Sequence, residues 1–215
     1  MNRITQIPFR IDREELFERM HISTDRPMYE EFESSYQNLY DSLSDLLDIQ
    51  GTHVLKTNNE EGKIHKGLCE VSHIVYCLVT LGPKISERST KYFAEKDFLK
   101  GLMIDSMADI LLFNASNDYY ESVKRDVYEE QGYALTVRYS PDDNIIPLQV
   151  QKTILEHVNG GELLSVSVTQ AFMYDPLKTL GYVYGADKNI ELAKKDHDCA
   201  MCSNYTCEYR NVDES

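Results

Sequence analysis

Between Met28 and Ile49 the apolar residues Phe32, Tyr36, Leu39, Tyr40, Leu43, Leu46 and Leu47 recur at three-and-four spacing, which predicts an amphipathic helix. Ahead of it, Ile11-Asp12-Arg13-Glu14-Glu15-Leu16-Phe17 reads as a helix start, with Asp12 able to cap and the two glutamates favourable in the first turn. The period then changes. His53 to Lys56 predicts a strand, and Val71 to Leu81, rich in β-branched and aromatic residues and closed by Gly82-Pro83, predicts a stronger one. Lys84 to Phe93 predicts a short helix, and Leu102 to Gln131 runs without glycine or proline, roughly 45 Å if helical throughout. Leu102, Met103, Ile104, Met107, Ile110, Leu111, Leu112 and Phe113 make its first half apolar almost all round, whereas Glu121 to Glu130 is polar and is expected to emerge into solvent. Further on, Tyr133 to Tyr139 predicts a strand, Leu148 to Val158 a helix stopped by Gly160-Gly161, and Leu163 to Tyr174 and Thr179 to Tyr184 two more strands. Helices and strands in irregular order, without repeated βαβ units, predict an α+β fold with a largely antiparallel, twisted sheet and long helices.

A chain of 215 residues can bury a substantial core, and residues 1–195 carry the pattern of one domain, followed by a cysteine-rich tail over 196–215. A hydrophobic share of 42% and a charged share of 27% argue against disorder and against a fibrous repeat. The net charge of -14, with basic residues scattered among acids, argues against a nucleic-acid partner and against an anionic membrane surface. No apolar run reaches the roughly 18 to 20 residues that cross a bilayer, and the stretch from Met1 to Gln6 lacks the apolar core of a secretory signal, so a cytoplasmic location is expected.

The most informative stretch for chemistry joins Arg138-Tyr139-Ser140-Pro141 to Pro147-Leu148-Gln149-Val150-Gln151-Lys152 across a polar loop. Arginine presents a planar fork of donors that grips a carboxylate or phosphate bidentately, so Arg138 is a candidate anion clamp; the competing reading is a surface arginine beside a loop. Asp105 and Asp109 stand one helical turn apart, either as paired carboxylates at a site or as capping and solvated positions. Cys77 lies in an apolar run and reads as a small buried hydrophobe, and Cys69 receives no function. The other three cysteines fall in the last 17 residues: Cys199, Cys202 and Cys207 form a C-x2-C-x4-C pattern with His197 nearby. That set suits a tetrahedral zinc site or an iron-sulfur cluster, with free thiols in a disordered tail as the alternative.

Three segments, in order and spacing, resemble the activation domain of cobalamin-dependent methionine synthase, particularly its free-standing versions. They are the Arg138 stretch with Pro147 to Gln151; the run Thr169-Gln170-Ala171-Phe172-Met173-Tyr174-Asp175-Pro176-Leu177-Lys178-Thr179; and Val79-Thr80-Leu81-Gly82 before the long helix. Ile11 to Glu15 is similar to the start of the free-standing members, so the resemblance spans nearly the whole chain. It implies a domain that binds S-adenosylmethionine and donates its methyl group to a cobalamin carried by a separate methyltransferase protein. This reductively methylates cob(II)alamin, with a reductant such as a flavodoxin or ferredoxin. Such chemistry rests on positioning and calls for few catalytic side chains. Carried over by the resemblance, Arg138 meets the methionyl carboxylate, Ser140 contributes backbone contacts, and Tyr184 lies near the cofactor or is an ordinary core tyrosine. Asp142-Asp143 depart from the family's pattern, which has Gly-Tyr there. The alternative implied by that departure is a noncatalytic adaptor or metal-binding module of the same fold that has lost S-adenosylmethionine binding.

Overall fold

A computed structural model describes residues 4–59, 65–141 and 145–197, together with Tyr205. In chain order the elements are β1 (Thr5–Gln6), α1 (Arg13–Arg19), α2 (Tyr29–Leu46), β2 (Gln50–Thr57), β3 (His73–Thr80), α3 (Lys84–Ala94), α4 (Phe98–Lys124), β4 (Ala134–Leu135), α5 (Val150–Val158), α6 (Gly160–Leu164), β5 (Ser167–Val168), β6 (Tyr174–Asp175) and β7 (Thr179–Asp187). Asp12 caps α1 by accepting from the amides of Glu14 and Glu15. Asp97 caps α4 by accepting from the Lys100 amide. Both caps satisfy donors that a helix start leaves without an intrahelical partner.

Among the described residues, β1, β2, β3, β7 and β4 form one antiparallel sheet in that order, and β5 and β6 pair separately. The pairing of β3 with β7 runs in unbroken register from His73 opposite Ala186 to Thr80 opposite Thr179, where the two threonine hydroxyls share a 2.8 Å hydrogen bond. Side chains alternate along a strand. β3 therefore sends Val75, Cys77 and Val79 to a face covered by α1 to α4, and Ile74, Tyr76 and Leu78 to a face covered by α5 and the segment through Tyr174. Burial on both faces is why this strand reads as a continuous apolar run rather than an alternation.

The α+β class and the antiparallel sheet agree with the sequence pattern, and several boundaries do not. α4 starts at Phe98 rather than Leu102, and after Lys124 it widens into a π-helical turn over Arg125–Glu129. That turn buries Val127, and Val123 before it is buried too, so the stretch expected to emerge into solvent stays on the core through its valines. Gly160-Gly161 do not end α5: Asn159 does so in the left-handed region at φ 56°, and the glycines open α6. The strand expected from Leu163 to Tyr174 is absent because left-handed residues break it at Ser165 (φ 54°) and Phe172 (φ 61°). Only β5 and β6 remain extended, around a turn that the Thr169 hydroxyl ties to the Met173 amide. From Tyr133 to Tyr139 only Ala134 and Leu135 form a ladder, with Tyr139 adding an isolated bridge to Val183.

Under α4, His53, Cys77 and Tyr182 lie opposite one another across β2, β3 and β7. His53 Nδ1 is 2.8 Å from the Tyr119 hydroxyl, and its Nε2 lies 3.6 Å from Asp126 on the π-helical turn. Gly51 makes room for this contact: a Cβ there would come within 2.6 Å of the Tyr119 ring. Burial lowers the imidazole pKa below its ordinary value by more than Asp126 raises it, and Arg125 lowers it further. The folded protein therefore binds this proton less readily than the unfolded chain. The stability that His53 contributes is complete above the unfolded value of about 6.5 and is lost as pH falls from there toward the depressed value. We expect urea midpoints to fall less steeply between about pH 7 and pH 5 in His53→Gln than in the wild type; equal slopes would contradict the buried neutral imidazole.

Candidate functional site

The segment from Ala134 to Tyr139 runs along the free edge of β7 without completing a ladder. Ala134 and Leu135 pair with Asp187 and Ala186, Thr136 exchanges hydrogen bonds with Gly185 through its amide and hydroxyl, and Tyr139 exchanges two with Val183. Between them, the Arg138 amide points away from β7 and donates to the carbonyl of Asp196 at 2.7 Å. Residues 188–197 double back after β7 along the outer side of this segment, and the Ala193 amide donates to the Leu135 carbonyl at 2.9 Å. The sheet edge is covered by the chain's own return, which removes unpaired edge groups.

The return brings a carboxylate onto Arg138. The guanidinium is 4% exposed and lies with its Cζ 5.1 Å over the Tyr182 ring; its Nη1 donates to Ser116 Oγ at 3.1 Å and its Nη2 to Asn117 Oδ1 at 3.4 Å. Asp196 Oδ2 stands 3.5 Å from Nη1, a charge contact in which this oxygen accepts no hydrogen bond among the described residues. The other oxygen, Oδ1, accepts a short hydrogen bond from the Tyr184 hydroxyl. Tyr184 is itself fully buried between Tyr182 and Tyr120, with ring centroids 5.7 Å from each. Burial, then Tyr182 and the Asp196 charge, raise the Tyr184 pKa well above its ordinary value against the opposing pull of Arg138, so the phenol keeps its proton and acts as donor. Burial likewise keeps the Cys77 thiol protonated, with Asp196 adding to the effect.

Arg138 and Tyr184 are thus brought together, and the surface-arginine reading is overturned by burial under α4. Tyr184 is a core tyrosine and a member of the cluster at once. Ser140 is buried on the same segment, and its hydroxyl approaches the Gly181 carbonyl at 3.5 Å. Asp105 and Asp109 converge on Lys178, whose ammonium lies 2.9 Å from Asp105 Oδ1 and 2.7 Å from Asp109 Oδ1. Burial works against that ammonium, but the hydrogen bonds to Asp109 and Asp105 hold its pKa above the ordinary value, so the two acids serve as the anchor of a buried lysine. Beside them a cleft of about 250 Å³ is lined by Asp109, Leu112, Gln151, Met173 and Leu177. It begins about one helical turn before Ser116 on α4. Cys199, Cys202, Cys207 and Asp142-Asp143 lie outside the described residues, whereas His197 lies within them, next to Asp196.

The pattern of the sequence left Ser116, Asn117, Tyr182 and Asp196 unassigned. Ser116 and Asn117 were visible as polar residues on the buried side of an apolar helix. Asp196 carried no signal, because only the return of residues 188–197 along the sheet edge gives it a partner.

The structure is similar to a solved structure described as the MetH reactivation domain bound to AdoHcy, with a TM-score of 0.59, 15% sequence identity, and coverage of 89% of this chain and 80% of that chain. No protein-family model and no curated protein matches the sequence. The chain therefore has the α+β fold of that domain, a mixed arrangement of helices around a curled antiparallel sheet.

The Tyr184 hydroxyl is the one hydrogen-bond donor that Asp196's carboxylate has among these contacts, and bonds to a charged acceptor contribute about 1.5 to 3 kcal/mol. We expect Tyr184→Phe to lower the unfolding free energy by about that amount with an unchanged denaturant slope. An unaltered midpoint would mean that the phenol and Asp196 do not meet in solution.

Proposed function

We propose that this domain binds S-adenosylmethionine through Arg138 and Tyr184 and presents its methyl group to the cobalamin of a separate methyltransferase, restoring that protein after oxidation. The observation that carries the reading is the carboxylate of Asp196 held between Arg138 and Tyr184. A cluster that grips one carboxylate has the donors to grip another. The fold is that of a reactivation domain whose solved structure has AdoHcy bound, the product that methyl donation leaves behind.

In this reading Arg138 takes the amino-acid carboxylate of the ligand, the Tyr184 hydroxyl donates to the same group, and Ser140 holds the segment against β7. The ring of Tyr182 already stacks under the guanidinium and fixes its plane. A corrinoid carried by the partner and reduced by a flavodoxin or ferredoxin type donor would supply the nucleophile that accepts the sulfonium methyl group, leaving S-adenosylhomocysteine on this chain. This chain's own residues bind, orient and exclude water, and no general acid or base is required of them.

Calorimetric titration with S-adenosylhomocysteine tests the reading on the whole chain. Saturable binding is expected, weakened about 10-fold or more in Arg138→Ala, the equivalent of one charged hydrogen-bonded contact. Equal binding in Arg138→Ala would refute the assignment. So would the absence of heat at millimolar ligand in both the wild type and a variant freed of its internal carboxylate. That second outcome favours the noncatalytic adaptor, to which the occupied guanidinium also points.

For the tail we propose a separate metal or cluster site on Cys199, Cys202 and Cys207, completed by His197. Three thiolates at this spacing converge on one ion, and an imidazole fills a fourth tetrahedral position. Anaerobically purified protein is expected to carry about one zinc, or iron with sulfide, per chain and to lose most of it in Cys199→Ser/Cys202→Ser. Metal-free protein after anaerobic purification would dismiss the site.

A further inference from the structure

We infer that Asp196 is an internal competitor for the ligand's carboxylate, and that residues 188–197 form a strap which must release Arg138 before an acidic ligand group can bind. The inference rests on the reading of Arg138 as the ligand's anchor. One residue occupies both donors of the proposed site: Oδ2 stands against the guanidinium and Oδ1 takes the Tyr184 hydroxyl, while the Asp196 carbonyl holds the Arg138 amide. With 4% of Arg138 exposed, a ligand reaches the guanidinium only when a covering group moves, and among the described residues Asp196 is the acidic group that stands against it.

Two features make the strap displaceable. Its carboxylate is a poor match to the arginine: the ion pair is 3.5 Å long and Oδ2 accepts no hydrogen bond among the described residues, whereas a free carboxylate forms two bonds of about 2.7 to 2.9 Å to a guanidinium fork. The segment that carries it also lacks regular secondary structure. Its contacts with the rest of the fold include the Ala193 and Asp196 main chain on the sheet edge, Leu192 packed against the core, Asn189 bonded to Asp187, and Lys188, whose ammonium lies 4.8 Å over the Tyr133 ring. Segments without regular secondary structure at a sheet edge open at lower free energy than the strands beneath them. What the internal carboxylate lacks in geometry it recovers through tethering, which keeps its effective concentration in the millimolar range. A ligand that binds only the open state has its apparent affinity reduced by the open fraction.

The test compares wild type, Asp196→Asn and Asp196→Ala for S-adenosylhomocysteine binding by calorimetry, with circular dichroism as a check that each variant is folded. Hydrogen exchange of the Ala193 amide, with and without ligand, reports the strap directly. Both variants are expected to bind about tenfold more tightly than the wild type, and the ligand is expected to speed Ala193 exchange in the wild type. Saturable binding that tightens by less than about threefold, or an Ala193 amide that the ligand leaves equally protected, overturns the competition and leaves Arg138 as anchor intact. No binding in any of the three proteins overturns the ligand reading itself, and the strap inference falls with it.

Discussion

The antiparallel pairing of β3 with β7 is the interaction on which the rest of the structure depends. Its register places Cys77 opposite Tyr182 and Val75 opposite Tyr184, so both tyrosines face α4. The edge of β7 away from β3 receives the Arg138 segment, and the turn after β7 directs the chain back over that segment. Asp187 fixes the turn by accepting from the Ser72 amide at 2.8 Å and from the Asn189 amide at 2.8 Å, and these bonds hold its pKa well below the usual carboxylate range. A one-residue slip of β7 would turn Tyr182 and Tyr184 to the other face and separate every member of the cluster.

Two polar clusters lie beneath α4, and the way each is satisfied differs. At the His53 end the buried components are neutral, an imidazole whose pKa burial lowers and a phenol whose pKa burial raises, and the one carboxylate beside them, Asp126, lies partly exposed at the rim. At the other end a buried cation must be compensated, since an arginine out of water is costly unless hydrogen bonds and an opposing charge surround it. Ser116, Asn117 and the Tyr182 ring supply most of that surround, and Asp196 supplies the charge. Cys77, a protonated thiol acting as a small hydrophobe, sits in the row between the two ends.

The sequence made the long elements legible because each carries its own period or its own apolar run: α2 by its stripe, α4 by its apolar first half, and β3 by burial on both faces. Elements held by partners rather than by period were not legible. β5 and β6 are two residues each and exist through a turn in which Phe172 adopts positive φ, a choice that no residue type announces. The Arg138 segment looked like a full strand because its residues suit one, yet its middle amide is diverted to Asp196, a partner 58 positions away in sequence. The resemblance of surrounding segments singled out Arg138 and Tyr184, and the structure places the two side chains around one carboxylate. The carboxylate between them was not legible, because Asp196 belongs to a stretch whose composition resembles a tail.

A fold shared at 15% identity does not fix a function; a site does. Methyl transfer from a sulfonium asks a protein for placement and dryness rather than for an acid or a base, so the proposed function would demand of this site a carboxylate anchor, a rigid backing and a route in. On the proposed reading Arg138 is the anchor and Tyr182 the backing, and the chain's own return lies across the route. The difference between a donor domain and an adaptor then reduces to one equilibrium. If the strap is open about one time in ten, ligand binding loses tenfold and remains useful; if about one time in ten thousand, the same side chains bind nothing at cellular concentrations until a docking partner draws the strap away. Chemistry and regulation would in that case be written in the same ion pair, because the charge that compensates the buried Arg138 would also be the charge that a ligand replaces.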